Sequence, residues 1–176
     1  MHHIPNILSA FRIILIPFFV HQVIYGNILV AAIILITSAL TDIVDGFLAR
    51  RFNWVTNLGK VLDPAADKLT QVTVCVIFVI QFPQYWGFFA VLLFRDLVFL
   101  VGGAYFIKRK VKLSGAKWFG KVSTVLFFVS MIFIILFPGL PPVFVYALLS
   151  LTTIAAITAM ILYVPEFVRY KRRLNP

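Results

Sequence analysis

At 176 residues, 62% of them hydrophobic and only 12% charged, with a mean hydropathy of +1.02, the chain lies outside the composition range of water-soluble domains. This excludes a soluble enzyme and predicts an all-α integral membrane protein, a single domain over residues 1–176. The net charge of +10 does not indicate nucleic acid as a partner, because the cations lie next to apolar segments, where anionic headgroups of membrane lipids are their natural neighbours.

Apolar segments of about 17 to 25 residues cross a bilayer as helices, and six occur in chain order. The first, 7–24, contains Arg12 and ends at the turn Gly26-Asn27. The second, 28–49, ends in Asp42, Asp45, Gly46 and Ala49, with Arg50 just after it; the third, 61–81, opens with Asp63, Pro64 and Asp67 and holds the lone Cys75, whose natural role is apolar filler. Pro83-Gln84 leads into the fourth, 86–107, with Arg95 and Asp96 inside it. A basic stretch from Lys108 to Lys121 precedes the fifth, 119–137, and Pro138-Gly139-Leu140-Pro141-Pro142 precedes the sixth, 142–164, with a basic tail after it.

The turns at Gly26, Pro83 and Pro138 carry no Lys or Arg, whereas Arg50, Arg51, Lys60, the 108–121 cluster and the tail from Arg169 to Arg173 all fall on the other side. The positive-inside rule then puts six transmembrane helices with both termini in the cytoplasm of a multi-pass protein of the cell membrane. Tyr25, Tyr85 and Trp86 near the uncharged turns, with Trp54 and Trp118 in the basic loops, suit aromatic belts at the two interfaces. No removable signal peptide is expected, since no small-residue cleavage site follows the first apolar run. His2 and His3 lack a matching ligand set and read as solvated.

Only six residues are acidic, and four of them form two pairs, Asp42 with Asp45 and Asp63 with Asp67. At about 100° per residue on a helix, Asp42 and Asp45 stand about 60° apart with Gly46 and Ala49 on nearly the same face, and Asp63 and Asp67 about 40° apart. Pro64 is placed early in its helix, where a missing N–H costs nothing. Four carboxylates can thus converge from two helices. Oxygen ligands of this kind hold hard divalent cations together with substrate phosphates. Two such ions suit displacement at phosphorus, bridging a pyrophosphate and aligning an incoming oxygen. The alternative, helix caps or surface pairs with Arg50, Arg51, Lys60 and Lys68, explains each aspartate singly and their joint spacing poorly.

The run Asp42-x-x-Asp45-Gly46-x-x-Ala49-Arg50, eight residues, then Gly59-x-x-x-Asp63-x-x-x-Asp67 resembles the signature of the CDP-alcohol phosphotransferases at every fixed position. The resemblance implies six transmembrane helices, a homodimer, and the motif on helices two and three with the active site facing the cytoplasm. It also implies Mg²⁺, or Mn²⁺, as two ions held by Asp42, Asp45 and Asp63, with Asp67 contributing to the metal site and acting as general base. Asp42, Asp45, Gly46, Ala49, Gly59 and Arg50 would surround the cytidine nucleotide. The implied reaction is attack by an alcohol on the lipid-side phosphorus of CDP-diacylglycerol, with CMP leaving.

The acceptor is narrowed by three further segments. Ile4-Pro5-Asn6-Ile7-Leu8-Ser9-x-x-Arg12, Leu62-Asp63-Pro64-Ala65-Ala66-Asp67-Lys68-Leu69 and Gly120-Lys121-Val122-Ser123-Thr124 resemble stretches of bacterial phosphatidylglycerophosphate synthases, which implies glycerol 3-phosphate. Ser123 stands where those enzymes carry Lys, a natural phosphate partner, so phosphatidylglycerol and a cardiolipin product form the alternative. Arg12, Lys68, Arg95 and Lys121 are the candidate acceptor-binding cations. A cation or proton transporter is the competing class, since intramembrane carboxylates also mark ion paths. Transporters favour midplane sites and repeated halves, whereas these acids gather at helix ends.

Overall fold

The computed structural model describes the backbone of residues 4–52, 54, 59–108 and 118–174, and the side-chain environments within 5–48, 51–52, 54, 59, 62–102 and 118–165. The described residues are helical apart from short turns. The six helices are α1 (Ile4–Ile24), α2 (Ile28–Arg51), α3 (Gly59–Gln81), α4 (Trp86–Lys108), α5 (Trp118–Leu136) and α6 (Pro142–Leu174), with a single 3₁₀ turn at Pro83–Tyr85. The chain forms two compact units, one of residues 1–83 with 131–139 and the other of 84–130 with 140–176.

In the first unit α1 packs against both α2 and α3. Its connection to α2 is short because Gly26 adopts φ +76°, a left-handed conformation open to glycine at little cost. That turn lets the Asn27 N–H reach back to the Gln22 carbonyl at 2.9 Å and close the helix end. Ala31 and Ala32 are fully buried on α2, small side chains that allow close helix approach. The start of α1, the end of α2 and the start of α3 therefore share one end of the unit.

The distribution of polarity on α1 is inverted relative to a soluble helix. Asn6, Ser9 and Arg12 are buried, while Ile7, Phe11, Ile14 and Phe18, spaced as one helical stripe, are exposed. This is the arrangement expected where the solvent is hydrocarbon and polar groups must find partners inside. Among the described residues five helices are long and apolar enough to cross a membrane: α1, α2, α4, α5 and α6. The third is long enough at 23 residues, but Lys60, Asp63, Asp67 and Lys68 crowd its first ten positions.

Three details differ from the sequence-based expectation. Helix α3 begins at Gly59, so Pro64 lies inside it and leaves the backbone ladder one bond short. Helix α6 continues past the sixth apolar segment, through Pro165 to Leu174. Tyr85, expected at the interface, is buried edge-on against Tyr146 with ring centroids 5.0 Å apart, whereas Tyr25, Trp86 and Trp118 are exposed. A tyrosine in the turn before α4 that meets another ring gains more from packing than from headgroup contact.

The second unit joins α4 to α6 and is held by rings and hydroxyls. Tyr163 of α6 meets Phe99 and Phe119 at 5.1 and 4.9 Å, and it lies close over Gly120, where an added Cβ would come within 2.9 Å of its hydroxyl. Deeper in the unit, the Ser130 and Thr152 hydroxyls are 2.7 Å apart, and Thr152 also donates to the Leu148 carbonyl. Ser130→Val and Thr152→Val should each lower stability by about 0.5–1.5 kcal/mol. The double variant should lose about 0.5 kcal/mol less than the sum, as a shared hydrogen bond requires; unfolding midpoints in a denaturing-detergent titration measure this.

Candidate active site

Three helices of the first unit bring charges to one place. Arg12 lies two turns into α1, Asp42 and Asp45 on the last turns of α2, and Asp63 near the start of α3. The Arg12 guanidinium joins them: Nη1 donates to Asp42 Oδ1, and Nη2 donates to Asp63 Oδ1 and, at 2.7 Å, to Asp45 Oδ2. Ser9, one turn before Arg12, lies 3.3 Å from Asp45 Oδ2 and donates to the Pro5 carbonyl at 3.0 Å.

Burial is graded across the cluster. The side chains of Arg12 and Asp45 are each 2% exposed, against 33% for Asp42 and 45% for Asp63. Asp45 thus forms the floor of a recess, and the other two carboxylates its mouth. Asp45 Oδ1 is buried with no hydrogen-bond partner among the described residues, a situation that costs about 1–3 kcal/mol, and more for a charged group. One oxygen from each of Asp42, Asp45 and Asp63 lies within 4.8 Å of the others. A set of carboxylate oxygens only, one of them orphaned at the floor, fits a hard divalent cation.

Asp67 lies one turn further along α3 and stands outside this group of three. Its Oδ1 accepts from Gln71 Nε2 at 3.0 Å, and its Oδ2 is 3.9 Å from Lys68 Nζ, which in turn donates to Gln71 Oε1 at 2.8 Å. The fully buried Gln71 therefore orients both charged neighbours. It was not among the residues singled out in the sequence, although its offsets of three and four from Lys68 and Asp67 are the helical contact spacing.

The remaining candidates are placed as follows. Gly46 follows Asp45 on α2 and is half-buried, and Gly59 opens α3. Ala49 and Arg50 belong to α2, but their side chains lie outside the described residues. Arg95 and Lys121 belong to the second unit. Arg95 is buried and donates through Nε and Nη2 to Asp96 Oδ1 at 3.0 and 2.7 Å, and through Nη1 to Ser123 Oγ at 2.6 Å. Ser123, read in the sequence only as a departure from a pattern, is thus a partner of Arg95; Lys121, two residues earlier, is exposed.

A family model described as CDP-alcohol phosphatidyltransferase matches residues 2–165. The chain belongs to the CDP-alcohol phosphatidyltransferase family. It is 32% identical over 171 residues to a CDP-diacylglycerol--glycerol-3-phosphate 3-phosphatidyltransferase of Aquifex aeolicus, covering 96% of this chain and 93% of that protein. Proteins of the same name from Escherichia coli K12 and Shigella flexneri serotype 5b are 35% identical over 128 residues, covering 69% of this chain and 70% of each of theirs. The three carboxylates of the recess lie within the matched residues.

Replacing Asp45 with Asn keeps volume while removing the buried charge at the floor. Asp45→Asn should weaken Mg²⁺ binding by roughly tenfold or more, measured by isothermal titration of the detergent-solubilised protein. Equal affinity in the two proteins would remove Asp45 from the metal centre.

Proposed function

We propose that the protein transfers the phosphatidyl group of CDP-diacylglycerol to glycerol 3-phosphate, giving phosphatidylglycerophosphate and CMP. The observation that carries this reading is the similarity, over nearly the whole chain, to a relative of that name, together with a carboxylate recess that fits the divalent cations such chemistry uses. Asp42, Asp45 and Asp63 would hold the metal. When bound, Mg²⁺ or Mn²⁺, as two ions, would neutralise charge on the departing CMP and acidify the attacking hydroxyl.

The work of this chain's own side chains is then orientation and proton transfer. The acceptor hydroxyl forms a bond to the phosphorus that bears diacylglycerol, the bond from that phosphorus to the CMP oxygen breaks, and its electron pair leaves with CMP. Asp67 takes the hydroxyl proton. The hydrogen bond from Gln71 and the Lys68 ammonium hold the Asp67 carboxylate in place, and a fixed base is what proton transfer in the transition state requires. Gly46, Ala49 and Gly59 would leave room for the cytidine nucleotide, with Arg50 beside it. Lys68, beside Asp67, is the acceptor-phosphate candidate of the first unit; Arg12 belongs instead with the carboxylates, because its guanidinium is committed to three of them, and Arg95 is likewise committed, to Asp96 and Ser123.

The same reading includes six membrane crossings, with α3 as the sixth, both termini and the active site on the cytoplasmic side of the cell membrane, and a homodimer. The apolar outward face of α1 and the cations flanking the helices support it.

Purified protein with Mg²⁺ should release CMP from CDP-diacylglycerol when glycerol 3-phosphate is added and not with phosphatidylglycerol. Chelation of the metal should abolish release, and Asp67→Asn should lower turnover by about 10²–10⁴-fold while CDP-diacylglycerol still binds. Release with phosphatidylglycerol alone would make the product cardiolipin and overturn the choice of acceptor, and equal turnover in Asp67→Asn would remove that residue from the base role.

A further inference from the structure

Arg12 makes a demand on the carboxylate recess that the proposed reaction does not explain. Its Nη2 lies between Asp45 Oδ2 and Asp63 Oδ1, and its Nη1 contacts Asp42. These oxygens belong to the three carboxylates that would hold a divalent cation in the recess. A guanidinium presents N–H donors in a fixed planar fork, so it satisfies several carboxylates at once. Among the described residues it is also the one cation in ion-pair contact with Asp42, Asp45 and Asp63.

We propose that Arg12 is a built-in counter-cation of the metal centre, holding the three carboxylates together while the centre is empty of metal and competing with a divalent cation for the same oxygens. This rests on the reading of the recess as a metal site. Two physical arguments support it. Three carboxylates from two helices, one of them buried, repel one another strongly in a medium of low dielectric, and without a cation α2 and α3 would be pushed apart at this end. A nitrogen already seated between Asp45 Oδ2 and Asp63 Oδ1 occupies the space that an ion shared by those oxygens requires, so metal entry displaces the guanidinium.

The test is a titration of wild type, Arg12→Gln and Arg12→Lys in detergent with Mn²⁺ alone, following the free ion by electron paramagnetic resonance, alongside thermal unfolding without metal. Arg12→Gln should bind Mn²⁺ about tenfold or more tightly than wild type, and its metal-free midpoint should fall and recover when Mn²⁺ is added. Arg12→Lys, with a single nitrogen that cannot span all three carboxylates, should lie between the two, and it carries the comparison if Arg12→Gln does not fold. If wild type binds Mn²⁺ and the variants bind it no more tightly, Arg12 is not a competitor and the inference fails while the metal site stands. If neither wild type nor either variant binds Mn²⁺, the metal reading fails and the inference with it.

Discussion

A buried guanidinium shared by three carboxylates is the interaction on which the first unit depends. Arg12 and Asp45 are almost wholly removed from solvent, and an isolated charge in such a place is strongly disfavoured unless paired and hydrogen-bonded. The pairing ties α1 to both α2 and α3 at one end of the unit, so the helix that carries no acidic residue is the one that organises the acids. The geometry of α1 follows from this duty: its inward stripe is Asn6, Ser9 and Arg12 and its outward stripe is Ile7, Phe11, Ile14 and Phe18. Breaking the ion cluster would leave the buried charges of Arg12 and Asp45 uncompensated.

Helix α3 shows the cost of placing chemistry in an apolar chain. Its first turns hold Lys60, Asp63, Asp67 and Lys68, and Gln71 follows, fully buried. The later turns, with Val74, Cys75 and Phe78 buried, supply the packing that keeps the polar start in position. The helix therefore falls short of the apolarity of its neighbours because half of it serves the recess. The same logic appears in the second unit, where Arg95, Asp96 and Ser123 are buried together and bonded to one another. Polar groups inside an apolar assembly persist where each finds a partner.

Much of this was legible in the residues. The number of helices among the described residues and most of their bounds follow from apolar runs interrupted by Gly26, Pro83 and Pro138, since turn chemistry is local. The aspartate pairs stand out because four carboxylates among six acidic residues, at offsets of three and four, have few structural uses in a chain this apolar. The start of α3 at Gly59 and the run of α6 through Pro165 were not legible, because helix continuation past a proline depends on what the flanking turns pack against.

Composition and hydropathy by themselves determined an all-helical membrane chain, and the run from Asp42 to Asp67 carried its resemblance to the CDP-alcohol phosphotransferases, because hydropathy, charge scarcity and motif spacing are properties of sequence alone. The tertiary structure decided which charges meet. It joined Arg12 to Asp42, Asp45 and Asp63 across 30 to 51 positions of chain, and Arg95 to Ser123 across 28. A side chain's partner on another helix depends on the packing of helix faces, and no local spacing encodes that.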